Sequence, residues 1–324
     1  MTRETLLDRV IALLWKAEFT LSEKCDIRPR SFDVAARRGK TLLLVKVLSN
    51  IEGMSEETSQ EMRRLSVLFN GSPIVIGEHT NDHPLEIGAV YLRYGIPCVN
   101  IETLHDFFIE EVPPLVYAAP GGLYVEIDGE TLRSLREAKN ISLGELAMAL
   151  GVSRRTISKY ESGMNATIEA ALKLEEILDA PIACPVNMIV MFERTAKDAD
   201  PSPNDLRNAS ALEKEALGTL MHIGFEVFHT TKAPFNALSQ DDAAKMITGV
   251  SDYNEAMLKK AKFMSSLADV AGTYSLFIVK GPHRPKAVGN TLLIKSEELK
   301  QFDDRSDLFD LLLSREVKKA NAGK

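Results

Sequence analysis

Cysteine is scarce in this chain: 324 residues carry three, at Cys25, Cys98 and Cys184. An odd, widely spaced set builds neither a disulfide framework nor a zinc knuckle, and it fits a reducing cytoplasm. Tryptophan occurs once. Trp15 and Phe19 have the helical spacing of core residues and not the layout of a base-stacking platform. No apolar run approaches the roughly 20 residues that a spanning helix needs, which excludes a membrane protein of that kind. The opening MTRETLLDRV reads as an amphipathic helix without a signal-peptide core. Positive charge is in deficit, 39 Lys and Arg against 46 Asp and Glu, a net charge of -7. The molecule as a whole repels phosphate, so any contact with nucleic acid must come from a local basic surface. No phosphate loop or dinucleotide fingerprint occurs.

What is present is enough apolar material, 45% of residues, for two or three cores. Residues 1–112 alternate helical and strand patterns and read as an α/β domain. Leu6, Val10, Leu13 and Leu14 form a helix stripe, and Leu42–Leu48 a buried strand paired to Phe32–Ala36 through an Arg-Gly-Lys turn. The helix Glu56–Phe69 follows, then strands at Pro73–Ile76 and Cys98–Val99 and the helix Glu102–Phe108. Residues 113–128 form a connection ending in the strand Leu123–Ile127. Residues 129–183 form a helical domain. Residues 184–208 read as strand and linker, the proline-containing DADPSPNDLRNAS (198–210) being the flexible part. Residues 209–324 repeat the order of the first segment, and Glu102, Leu104 and Phe107 match Glu297, Leu299 and Phe302 without a gap. The third segment is therefore read as a diverged copy of the first.

The most informative stretch is TLRSLREAKNISLGELAMALGVSRRTISKYESGMNATIEAALKLEEILDAP. Its first helix spans Glu130–Lys139. Ser142 N-caps the second, with Glu145 completing a capping box, and Leu146 and Leu150 face inward. Gly151 ends that helix in a left-handed conformation that only glycine adopts cheaply. Ser153 caps the third helix, which Ile157 and Tyr160 bury, and Thr167 caps the fourth, Ile168–Leu178. Outward on the third helix stand Arg154, Arg155, Thr156, Ser158 and Lys159. Arginine forks onto the two major-groove acceptors of guanine, and the first turn of a recognition helix is what reaches base edges.

GELAMALGVSRRTISKYESG resembles the Cro-repressor family of DNA-binding domains, also called the xenobiotic-response-element family, over about 55 residues. The resemblance implies base contacts from Arg154, Arg155 and Lys159, with Ser153, Thr156 and Ser158 on the same helix. It implies a supporting or phosphate contact near Ser142 and Leu143, although Leu143 departs from the polar residue expected there. It also implies a structural ion pair between Arg136 and Glu161, which makes Glu161 scaffold and not a catalytic acid. The whole arrangement, with FDVAARRGKTLLLVKVLSNIEGM in the first flank, resembles a family of archaeal helix-turn-helix transcriptional regulators.

Asp33 and Lys46 on neighbouring strands resemble the restriction-endonuclease-like fold, in which an Asp and a Glu-x-Lys hold magnesium and a water nucleophile. Here the second carboxylate position is Leu44, so the pair reads as vestigial. His79 and His83 lie in a polar loop without a third ligand and read as surface. The expectation is thus a multidomain α and α/β protein: a central all-α helix-turn-helix domain between two related, nuclease-like α/β domains. It is expected to bind double-stranded DNA as a cytoplasmic, repressor-like regulator and a homodimer. It needs no metal or cofactor, has no catalytic residue, and leaves room for an effector. A DNA-processing nuclease and a protein-interaction module that uses the helix-turn-helix as scaffold are the alternatives.

Overall fold

The structure, a computed structural model, describes residues 2–119, 121–195, 202–241, 244–281 and 286–322. In chain order the first segment contains α1 (Arg3–Lys16), β1 (Thr20–Leu21), β2 (Val34–Arg38), β3 (Thr41–Val47), α2 (Glu56–Phe69), β4 (Ser72–Ile76), β5 (Ala89–Arg93), β6 (Ile96–Val99) and α3 (Ile101–Phe108). The middle contains β7 (Val116–Ala119), β8 (Gly122–Ile127), α4 (Gly129–Ala138), α5 (Leu143–Leu150), α6 (Arg154–Glu161), β9 (Ala166–Thr167), α7 (Ile168–Leu178), β10 (Ala183–Cys184) and α8 (Met188–Thr195). The third segment contains α9 (Ala211–His222), β11 (Glu226–His229), β12 (Ala237–Gln240), β13 (Lys245–Asp252), α10 (Glu255–Ala271), β14 (Tyr274–Lys280), β15 (Ala287–Val288), β16 (Thr291–Lys295), α11 (Ser296–Leu299) and α12 (Arg305–Ala322).

These elements form two compact units, each assembled from non-consecutive stretches. One gathers residues 1–13, 48–53 and 74–195; the other gathers 14–47, 54–73 and 196–324. In the first unit β4 runs parallel to β6, β6 antiparallel to β5, and β5 parallel to β7. The hairpin β7–β8 continues from there and β8 also pairs β9 and β10, so the helical domain α4–α7 is anchored at both ends to one strand. Its core is Val125, Ile127, Leu132, Leu146, Ile157, Leu174 and Leu178 with their neighbours.

In the second unit β1, β2 and β3 pair antiparallel. A separate sheet runs β11–β12–β13–β14–β16–β15, antiparallel at both edges and parallel across β13, β14 and β16. In β14 the apolar run Leu276, Phe277, Ile278 and Val279 is fully buried, as parallel strands covered on both faces require. The succession helix, three strands, helix, three strands, helix is common to the first and third segments, with the same sense in each pairing described above.

Three sequence expectations need correction. Trp15 is 78% exposed, while Phe19 is buried: α1 ends at Lys16, so the two residues do not share a helix face and their spacing says nothing of a common core. Residues 184–208 include the helix α8, where a strand and linker were expected. MIVMF is apolar enough to read as either, and length does not decide it. The strand β5, absent from the sequence reading, pairs β6 through a hairpin turn at Tyr94 and Gly95, both at positive φ. The linker residues 196–201 lie outside the described residues.

Candidate nucleic-acid interface and the nuclease-like pair

The helix-turn-helix is built by local chemistry. Asp128 caps α4 by accepting the Thr131 N–H at 3.0 Å. Ser142 and Glu145 form a reciprocal capping box on α5, at 3.2 Å and 2.7 Å. These bonds hold the Asp128 and Glu145 carboxyls below their ordinary pKa range. Gly151 ends α5 at φ 72°, and Ser153 caps α6 by accepting the Thr156 N–H at 3.1 Å. Ser142 and Ser153 thus use their hydroxyls as caps. Val152 fills the turn while Ile157 and Tyr160 are buried beneath α6.

The opposite face of α6 is open. Ser153, Arg154, Arg155, Ser158 and Lys159 are exposed and Thr156 is half-buried. Arg154, Arg155 and Lys159 enter no ion pair among the described residues. Three uncompensated cations on two turns of helix stand out in a chain of net charge -7. Arg154 lies over the start of α5: a Cβ at Gly144 would come within 3.0 Å of its Nε and Nη2. This contact depends on how α5 and α6 pack and has no mark in the local sequence.

Behind that face, Arg136 on α4 donates from Nε to Glu161 Oε1 at 2.5 Å and from Nη1 to the Ile141 carbonyl at 3.0 Å. The two side chains are 10% and 12% exposed. The bond to Glu161 is the main reason the Arg136 pKa is raised. One guanidinium therefore ties the C-terminus of α6 to α4 and to the turn before α5.

The nuclease-like pair sits in the other unit. Asp33 immediately precedes β2 and is fully buried. Its Oδ1 accepts from Arg30 Nε at 2.8 Å and its Oδ2 from the Val47 N–H at 2.8 Å. Lys46 Nζ is 3.9 Å from Asp33 and donates to the Arg30 carbonyl at 3.2 Å. Leu44 is buried. This donor set does not fit a divalent cation: one carboxylate has both oxygens engaged, and a hydrocarbon stands where a second oxygen ligand is needed. No group of three or more His, Cys, Asp or Glu side chains suited to a metal occurs among the described residues, His79 and His83 included. Burial pushes the Cys25 and Cys98 thiols up to about 11 and about 12, so neither supplies a thiolate nucleophile at neutral pH. No helix among the described residues is long and apolar enough to cross a membrane.

Residues 3–114 match the PD-(D/E)XK superfamily domain and residues 132–183 match the helix-turn-helix family. The chain is 46% identical over 316 residues to a "Putative HTH-type transcriptional regulatory protein" of Methanococcoides burtonii, covering 97% of this chain and 98% of that one. A protein of the same description from Haloarcula marismortui is 46% identical over 318 residues, with 97% and 98% covered. A third, from Methanosarcina acetivorans, is 44% identical over 329 residues and covers both chains completely. No solved structure matches.

Proposed function

We propose, from the premise that this chain belongs to the family of archaeal HTH-type transcriptional regulatory proteins, that it regulates transcription by reading DNA sequence in the major groove with α6. The observation that carries the reading is the unpaired triad Arg154, Arg155 and Lys159 on the exposed face of α6. A helix stripped of compensating acids and held by a buried ion pair is suited to present fixed donors to guanine edges. An interaction scaffold has no need of three desolvation-ready cations on one face.

The protein acts without catalysis on this reading, in a reducing cytoplasm where its three thiols stay free. The nuclease alternative is favoured by the PD-(D/E)XK match and opposed by Arg30 and Val47 occupying the oxygens of Asp33. Homodimerisation is part of the proposal, because one recognition helix spans only a short half-site and two multiply affinity and specificity.

Binding-site selection from random DNA with the full chain tests the reading. The expected result is an enriched motif containing guanines whose selection is lost in Arg154→Ala or Arg155→Ala, at about 1–3 kcal/mol per position. Absence of any enriched motif, or equal binding of wild type and variants to all sequences, would overturn it.

A further inference from the structure

Asn236 in the third segment does what Asp33 does in the first. Asp33 immediately precedes β2, and its N–H donates to the Val45 carbonyl at 2.7 Å. Asn236 immediately precedes β12, and its N–H donates to the Thr248 carbonyl at 2.9 Å. Val47, two residues beyond Val45, donates its N–H to Asp33 at 2.8 Å; Val250, two beyond Thr248, donates to Asn236 at 2.8 Å. The strand registers agree, Val34 with Val45 and Ala237 with Thr248. By this alignment Leu44 and Lys46 correspond to Ile247 and Gly249. A lysine at 249 is sterically barred, since even a Cβ there would lie 2.5 Å from the Phe277 ring.

The contacts between the two copies are also reciprocal. Arg37 at the end of β2 donates to the Val270 and Ala271 carbonyls in the last turn of α10, at 2.5 Å and 2.9 Å. Lys245 at the start of β13 donates to the Leu68 carbonyl in the last turn of α2. Phe32, next to Asp33, packs on Phe263 of α10 with ring centroids 6.4 Å apart. Phe235, next to Asn236, packs on Phe69 of α2 at 6.2 Å. The stretch before Phe32 reaches α10 through Glu23, which pairs Lys262 and bonds Ser266. The stretch before Phe235 reaches α2 through Lys232, which pairs Glu57, and Thr231, which bonds Glu61. In each direction a strand-end cation caps the other copy's long helix, where it satisfies orphan carbonyls and the negative end of the dipole.

Such reciprocity, in which patch i meets patch j and patch j meets patch i, is the signature of an isologous two-fold interface. We propose that the third segment is a built-in second copy that serves as the permanent partner of the first, so that the face one α/β copy would offer to another chain is closed within a single chain. The long helix of each copy lies against the other's clamp region, around Asp33 and Asn236. Contacts between chains are accordingly made outside this face.

The test uses the full chain with a site-specific protease sequence inserted after Asp200. Intact chains tagged at the N-terminus are mixed with untagged, isotope-labelled chains, then cut and captured on the tag. Capture is expected to retain the third segments of the tagged chains in equal amount, and any labelled third segment carried along in a homodimer is expected to come with an equal amount of its own labelled first segment. Loss of the third segment, or recovery of labelled third segments in excess of labelled first segments, would overturn the proposal. Arg37→Ala with Lys245→Ala is expected to speed release of the third segment at least ~10-fold, because bonds from charged donors are removed in both directions. An unchanged release rate would count against the interface as described. None of these readouts involves DNA, so their failure is distinct from failure of the regulatory reading.

Discussion

The guanidinium of Arg154 packs against Gly144, in room that a side chain at 144 would crowd. A Cβ at 144 would stand 3.0 Å from Nε and Nη2 and 3.2 Å from Cζ. Position 144 is in the first turn of α5 and Arg154 begins α6, so the contact joins the two helices that give the motif its geometry. Gly144→Ala is expected to separate two effects. Alanine should raise helix stability by about 0.5–1 kcal/mol, while the Arg154 guanidinium, crowded at 3.0 Å, must shift from the place it holds against α5. The expected outcome is a melting temperature equal to or above wild type with several-fold weaker binding to the selected DNA. In an Arg154→Ala background the same change should leave binding unaltered; a Gly144→Ala penalty that persists there would show that the contact is incidental.

Arg136→Ala removes the cation that holds α6 to α4 and leaves Glu161, only 12% exposed, without its partner. Loss of one member of a partly buried pair is expected to cost about 3 kcal/mol, and the Ile141 carbonyl loses a donor as well. Thermal melting of the full chain checks this. Arg136→Ala should also weaken DNA binding at all sequences alike, because the whole of α6 is loosened and no single base contact is removed. A loss confined to one operator position would argue for a direct contact by Arg136.

These two sites differ in how far the sequence exposed them. Caps, the left-handed Gly151 and the inward Leu146, Ile157 and Tyr160 act within a few residues of one another, so the helix-turn-helix was legible as text. The clamp on Asp33 was not, because it depends on strand register: only the pairing of Val34 with Val45 brings the Val47 N–H to its carboxylate. Asn236 is hidden for a related reason: an amide lacks the charge that marks a catalytic carboxylate, although the backbone bonds it makes are the same. Leu104 and Leu299, aligned in the sequence, are both buried, yet contacts such as Arg37 with Val270 and Lys245 with Leu68 join residues far apart in the chain.

His229 gives the second unit a dependence on pH. It is 7% exposed, with Nε2 3.9 Å from Glu213. Burial holds its pKa below the usual imidazole value, and Glu213 only partly offsets this. Below about pH 6.5 the unfolded chain therefore takes up a proton that the folded chain resists. Stability is complete above that window and falls as pH drops through it, by at most about 1.4 kcal/mol per pH unit. Glu213, whose own pKa is lowered, contributes its loss only in the carboxylate range below. Melting temperatures between pH 7.5 and 5.5 should fall for wild type and flatten for His229→Gln. Parallel curves for the two proteins would remove His229 as the cause.

The matching bonds of Asp33 and Asn236 also predict what substitution at Asp33 does. Asparagine performs the same backbone clamp at position 236 without a charge, so Asp33→Asn should keep the bond to the Val47 N–H and lose mainly the attraction to Arg30. Asp33→Leu strips both bonds and leaves a buried N–H and a nearly buried guanidinium unpaired, at an expected cost of about 3–5 kcal/mol. The ordering wild type, Asp33→Asn, Asp33→Leu in melting temperature is the check on a structural role. A catalytic role makes the opposite demand, because the amide cannot serve as a metal ligand in place of the carboxylate. Wild-type protein incubated with magnesium or manganese is expected to leave plasmid, single-stranded and branched DNA uncut. Metal-dependent cleavage that disappears in a stably folded Asp33→Asn variant would contradict the structural assignment and establish a nuclease. Leu44→Glu supplies the missing oxygen ligand, but Arg30 still occupies Asp33 Oδ1, so metal binding by calorimetry is expected only when Arg30→Ala is combined with it.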